Sequence, residues 1–278
     1  MSKLYALCRA VSPAMLDCEL SFIGREPIDL GLANTQHTAY VQALRALNVE
    51  VVELPAEAAM PDSVFVEDTV LLFDELAVMT RPGAESRRGE VASIEAAFCE
   101  YREIIARISE PGTLDGGDVL RIGRRVFVGL SQRSNQAAID QLSAYVTPFG
   151  YQVVAVPMHD CLHLKSSVTA LSADTVLINP DWVDVSYFKD YQQITVAQSE
   201  PHAANVVRIA ATTSTSSATT STSSVTTATE SELILMPANF PETHALIEAA
   251  GFTVHTVDVS ELQKAEGAVT CCSVLFTA

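Results

Sequence analysis

Basic residues are scarce in this sequence. Seventeen Lys and Arg stand against 34 Asp and Glu, leaving a net charge of −17 over 278 residues. A nucleic-acid-binding surface needs a basic face, so DNA and RNA are not expected partners; an acidic field suits a small cationic ligand. Long apolar runs are also missing. None reaches the roughly 18 residues of a membrane helix, and MSKLYALCRAVSPAM at the N-terminus lacks a signal-peptide core. A cytoplasmic location without a membrane partner is the expectation. The six cysteines, Cys8, Cys18, Cys99, Cys161, Cys271 and Cys272, form neither a CxxC metal module nor a dense disulfide scaffold. Free thiols are expected.

What the sequence does have is apolar content. Hydrophobic residues make up 48% and mean hydropathy is +0.22, the composition of a globular chain. The length allows one large domain or two small ones. A pattern recurs along it. TVLLF (69–73), a DE turn and LAVMTRP (76–82) read as a hairpin followed by helical spacing in ESRRGEVASIEAAFCEY (85–101). DVLRI (118–122) and VFVGLS (126–131) repeat the hairpin, with a helix over 135–146 and a strand over 151–157. SVTALS (167–172) pairs with TVLINP (175–180). NVVRIAA (205–211) and ELILMP (232–237) precede a helix over 241–251 and a strand over 253–259. LYALCRAV, a helix over 34–48 and VEVVELP (49–55) supply the first unit. The unit is strand, strand, helix, strand at a period of roughly 50–60 residues, and about five copies fit.

This predicts an α/β fold in one domain spanning 1–278, with five pseudo-repeated units and loops gathered on an axis. Periodicity alone is also compatible with a doubly wound sheet. One segment departs from the pattern. ATTSTSSATTSTSSVTTATE (211–230) has almost no apolar content and reads as a low-complexity insertion within a hairpin; its Ser and Thr would also tolerate a long β-ribbon.

Polar groups concentrate in PDSVFVEDTV (61–70), TLDGGDVL (113–120), CLHLKSS (161–167) and GAVTCCSVL (267–275). A cysteine thiolate is a strong nucleophile, and a nearby histidine can hold or deliver a proton. Unpaired carboxylates beside such a pair would raise the thiol pKa, so they make sense only if the substrate is itself a cation. A planar guanidinium pairs bidentately with carboxylates and would bring positive charge beside the sulfur. Cysteine, histidine and several carboxylates together therefore point to guanidine chemistry. Each piece alone has a plainer reading. His163 could be structural, Asp115 and Asp118 could cap a turn, Glu67 and Asp68 could be surface charges, and Arg87 and Arg88 could be solvated. His37, His202, His244 and His255 have no supporting context. In a strand, Cys271 and Cys272 would face opposite sides, one toward a pocket and one toward the packing side.

Together, SVFVEDTVLLFDELAVMTRPGAESRRGEV, LDGGDVL, FVGLSQRSNQ, LHLKSS and EGAVTCCSVL resemble the dimethylarginine dimethylaminohydrolase family, in order and spacing, from about residue 5 to 276. The resemblance implies a five-bladed α/β-propeller, the pentein fold. It implies hydrolysis of asymmetric dimethylarginine and monomethylarginine to citrulline and an amine. Carried onto this sequence, it makes Cys271 the nucleophile and His163 the general acid and base. Asp68 and Asp115 would hold the guanidinium nitrogens, supported by Glu67. Asp62 would bind the α-amino group, Arg87 and Arg133 the α-carboxylate. Leu20, in an N-terminal lid, and Ala265 would add main-chain contacts. No cofactor or metal is required, although Cys271 with His163 could take up zinc adventitiously. The partner is then a small molecule, and the chain a monomer or homodimer.

The competing readings are another guanidine hydrolase and a non-catalytic methylarginine-binding protein. An arginine deiminase would need an additional helical domain. An agmatine deiminase would have no use for a carboxylate clamp. A redox pair at Cys271 and Cys272 would leave the acidic cluster unexplained.

Overall fold

Each repeat folds into one small sheet. The computed structural model describes residues 3–210 and 232–277. In chain order the strands are β1 (Leu4–Arg9), β2 (Glu50–Leu54), β3 (Val70–Leu72), β4 (Ala77–Met79), β5 (Ile105–Arg107), β6 (Val119–Ile122), β7 (Arg125–Leu130) and β8 (Gln152–Pro157). They continue as β9 (Val168–Ala170), β10 (Thr175–Ile178), β11 (Gln192–Thr195), β12 (Val207–Ala210), β13 (Glu232–Pro237), β14 (Thr253–Val257) and β15 (Val274–Thr277). The helices are α1 (Leu30–Ala46), α2 (Val91–Phe98), α3 (Gln136–Val146), α4 (Leu164–Ser167), α5 (Pro241–Ala249) and α6 (Ser260–Gln263).

The sheets are β15-β1-β2, β3-β4-β5, β6-β7-β8, β9-β10-β11 and β12-β13-β14. In every one the middle strand runs antiparallel to the first and parallel to the third. A parallel return needs a crossover, and α1, α2, α3 and α5 provide it in four blades. The last strand completes the first blade, so the two ends of the chain close the ring. Apolar side chains pack mainly between neighbouring blades. Val126, Val128, Leu142 and Val78 join the second and third blades, whereas Phe127, Val176 and Phe188 join the third and fourth. No helix among the described residues is long and apolar enough to cross a membrane.

The elements differ from the sequence expectation in physically readable ways. Helix α1 starts at Leu30 rather than at 34, because the Asp29 side chain accepts the Leu32 N–H and caps it. The helix expected over 85–101 is divided. Residues Glu85–Glu90 form a 3₁₀ helix whose buried arginine is drawn into the centre, and α2 begins only at Val91. In the fourth blade no α-helix makes the crossover; a 3₁₀ turn at Val185–Phe188 leads to β11, whose mostly exposed QQIT has little apolar signal. The 211–230 tract lies outside the described residues. Strands β12 and β13 on either side of it pair antiparallel, Val207 opposite Leu235.

Tyr40 of α1 is fully buried, and its hydroxyl donates to the Val269 carbonyl at 2.8 Å and lies 2.7 Å from Ser273 Oγ. It ties a helix to the loop that carries the cysteine pair. Tyr40→Phe strands a buried carbonyl, so urea unfolding should show a loss of about 1–3 kcal/mol; an unchanged midpoint would mean the tie is idle.

Candidate active site

Two cavities meet end to end on the propeller axis. One is a well of about 320 Å³ lined by the first strands of the blades, with Glu67, Lys165 and Thr270 at its inner end. The other is a small closed pocket of about 20 Å³, lined among others by Asp68, His163 and Cys271. The floor between them is a hydrogen-bonded septum. Lys165 Nζ meets Glu67 Oε1 at 2.5 Å, and Thr270 Oγ1 donates to Glu67 Oε2 at 2.7 Å. Asn205 closes the network, accepting from the Thr270 N–H and donating to Thr270 Oγ1 and to the Lys165 carbonyl. Adjacent residues straddle this floor: Glu67 and Thr270 face the well, Asp68 and Cys271 the pocket.

This corrects the expectation for the cysteine pair. Cys271 and Cys272 lie in a turn ahead of β15, not in the strand, and both are buried. The division between sides falls between Thr270 and Cys271. Cys272 packs inward, its sulfur 3.4 Å from the Ala268 carbonyl. Burial, with Glu67 and Asp68 adding negative charge, pushes the Cys271 thiol up to about 12.

His163 precedes α4 and is set between two carboxylates. Its Nε2 lies 3.1 Å from Asp115 Oδ2 and its Nδ1 4.0 Å from Asp68 Oδ1. Gly117 makes this approach possible, since a Cβ there would come within 2.5 Å of the imidazole. Asp118 fixes the histidine's backbone by accepting the Leu164 N–H at 3.0 Å, and holds Ser131 Oγ at 2.6 Å. Burial alone would lower the His163 pKa. Asp68 and the hydrogen-bonded Asp115 outweigh it and raise it to about 9, so the imidazole is cationic at neutral pH. Asp68 is the counterpart. Burial would raise it, but His163 and Arg87 hold it down at about 2. Asp115 receives the Gly83 N–H at 2.8 Å and places its own N–H on Ser134 Oγ.

Arg87 is where the resemblance and the geometry part. Its guanidinium is buried and spends its donors on Asp68 (2.5 Å), Glu90, and the Asp62 and Phe65 carbonyls. It holds Asp68 in place more than it waits for a carboxylate. Arg133 is freer. It also lines the pocket, donates to Ser21 Oγ at 2.8 Å, and approaches Asp115 at 3.8 Å. Asp62 lines the pocket and accepts the Glu19 N–H at 3.1 Å. Ala265 lines it too. Leu20 does not; its side chain rests on the hydrophobic core and its neighbour Glu19 reaches the pocket instead. Glu67 faces the septum.

The sequence reading passed over Glu90, Lys165, Asn205, Thr270 and Glu266. For Lys165, Asn205, Thr270 and Glu266 the signal is spatial, because each bonds to residues distant in the chain; Glu90 pairs with Arg87 three residues away. The ligating atoms of Asp68, Asp115 and His163 fall within 4.8 Å of one another, a spacing a metal could use. With Arg87 on Asp68 and His163 protonated, the group already carries its own cations.

Comparisons with known proteins agree with this geometry. The family model described as N,N dimethylarginine dimethylhydrolase, eukaryotic, matches residues 25–276. An N(G),N(G)-dimethylarginine dimethylaminohydrolase of Streptomyces coelicolor is 40% identical over 270 residues, 97% of this chain and 95% of the relative. The Pseudomonas aeruginosa protein of that name is 34% identical over 249 residues, covering 89% and 90%. A solved structure of the Pseudomonas aeruginosa enzyme, a cysteine-to-serine mutant complexed with citrulline, superposes with a TM-score of 0.86 at 32% identity, over 99% of this chain and all of that one.

A folded-state pKa above the unfolded value near 6.5 means His163 contributes stability fully below about pH 6.5, lost as pH rises through about 9. NMR of labelled imidazole should therefore place its midpoint near 9, with unfolding free energy falling over the same range. Asp68→Asn should move that midpoint toward neutrality. A wild-type midpoint at or below 6.5 would contradict the charge assignment.

Proposed function

The chain belongs to the dimethylarginine dimethylaminohydrolase family, and on that premise we propose that it hydrolyses asymmetric dimethylarginine and monomethylarginine to citrulline and dimethylamine or methylamine. The observation that carries the reading is the closed pocket in which Cys271, cationic His163 and Asp68 converge, with Asp115 on the imidazole. Such a site is built around positive charge.

In the free protein the sulfur is a thiol. The substrate guanidinium enters against Asp68 and Asp115, whose carboxylates each have lone pairs beyond those already used. Its positive charge offsets the acidic groups that hold the thiol up, and the Cys271 proton leaves to solvent. The thiolate attacks the guanidinium carbon and the C–N π electrons move onto nitrogen. Collapse of this tetrahedral adduct breaks the bond to the methylated nitrogen, which takes the proton from His163 and departs as the amine. A covalent S-alkylthiouronium remains on Cys271. Neutral His163 then removes one proton from water, the resulting hydroxide adds to the same carbon, and collapse of the adduct breaks the C–S bond, returning thiolate and citrulline as the hydroxyl proton leaves to solvent. Acid–base assistance of this kind contributes about 10²–10⁴-fold. At the other end of the substrate, Asp62 takes the α-ammonium and Arg133 the α-carboxylate. Arg87 supports Asp68 and flanks the carboxylate. Ala265 walls the pocket, Glu19 stands at its mouth beside Leu20, and Glu67 steadies the nucleophile loop through Thr270.

Purified protein should release ureido product and amine from both methylarginines, with little turnover of agmatine, which lacks the carboxylate. Cys271→Ser should lower kcat by at least about 10³-fold, whereas Cys272→Ser should leave most of it. Arg133→Lys should raise KM more than it lowers kcat, because a bidentate fork is replaced by a point charge. Full activity in Cys271→Ser would overturn the mechanism. Binding of methylarginine without turnover by the intact protein would favour the binding-protein reading.

A further inference from the structure

Glu266 has no part in the chemistry above, yet its placement is tightly determined. It sits five residues before Cys271 with a left-handed backbone, φ 57°, a conformation uncommon outside glycine. Gly267 after it has no room for a side chain, since a Cβ would come within 2.2 Å of the Phe65 ring. The loop is thereby pinned, and the Glu266 carboxylate is directed across the pocket mouth onto the segment at 19–23. There it accepts the backbone N–H groups of Ser21 (2.9 Å), Phe22 and Ile23 (2.9 Å). Successive N–H groups converging on one anion make a nest, and their hydrogen bonds are charge-assisted.

Segment 19–23 borders the pocket through Glu19 and is held at two other points, where Asp62 accepts the Glu19 N–H and Arg133 donates to Ser21 Oγ. Those two groups are the ones that the substrate ammonium and carboxylate engage in the proposed function. Substrate therefore competes with the lid for both. Glu266 has no such competitor. The pocket is narrow, about 20 Å³, so the 19–23 segment must move for an amino acid to enter. A third cavity of about 290 Å³, lined by Phe22, Ile23, Trp182 and Glu266, adjoins the same segment.

We propose that Glu266 is a positioning residue, a latch whose carboxylate sets how far the 19–23 lid stays closed and thus how well substrate is retained. The catalytic half of this rests on the proposed function; the closure itself does not. The test uses the full-length protein, with Glu266→Ala and Glu266→Gln compared with wild type by hydrogen–deuterium exchange and steady-state kinetics. Loss of charged hydrogen bonds should speed exchange of the Ser21–Ile23 amides at least about tenfold in Glu266→Ala, with α1 unaffected. KM for asymmetric dimethylarginine should rise about tenfold with kcat changing less than about threefold. Glu266→Gln, still an acceptor, should fall between and remains informative if the alanine variant does not fold. Unchanged lid exchange in a folded variant overturns the latch, and faster exchange with unchanged KM overturns its role in retention. If wild type turns over no methylarginine, the functional reading falls, and the exchange comparison alone still decides the latch.

Discussion

The carboxylate of Asp68 is the point on which the rest of the site depends. One oxygen takes Arg87 at 2.5 Å; the other takes the Gly117 N–H at 3.0 Å and faces His163. Arg87 comes from the 3₁₀ segment of the second blade, Gly117 from the third and His163 from the loop into the fourth. A single buried anion therefore fixes three blades around the axis and the charge of His163. Removing one partner from such a buried set typically costs about 3–5 kcal/mol. Keeping it yields a preorganised field that receives a guanidinium once segment 19–23 has moved aside.

The septum beneath performs the complementary task. Glu67, Lys165, Thr270 and Asn205 satisfy one another's polar groups, as buried networks must to be stable. They separate the axial well from the reacting carbon. Water exclusion on the pocket side strengthens every charge interaction there. The same exclusion keeps the thiol protonated until a cation arrives. The Cys271 thiol is thus protected from stray alkylation or oxidation, since the thiolate is the reactive form.

The ring of five units was legible because each hairpin carries its own alternation and turn residues, as in Val119–Ile122 and Arg125–Leu130. The candidate site was legible because its motifs are local: Asp115 with its two glycines, His163 before Leu164, Cys271 beside Thr270. The misses share a cause. Strand β11 is an exposed edge whose sequence has no core face to reveal it. Arg87 reads as an ordinary helix charge with a local partner in Glu90, and only the folded chain brings Asp68 to it. Cys271 lines the pocket and Cys272 packs in the core, the sides that alternation assigns, but in a turn ahead of β15 and not in the strand. Glu67 and Asp68 read as one acidic pair, although the chain between blades turns one to the septum and one to the pocket.

The central claim is that the free site holds Cys271 as a thiol and that a bound cation releases it. The direct measurement is the pH dependence of Cys271 alkylation by a small neutral haloacetamide, with Cys271→Ser correcting for the other cysteines. The account predicts a rate still rising above pH 9, well beyond a free cysteine near 8.5, because the thiol is pushed up to about 12. A plateau reached below pH 8 would mean that the thiolate is already formed, and would contradict it.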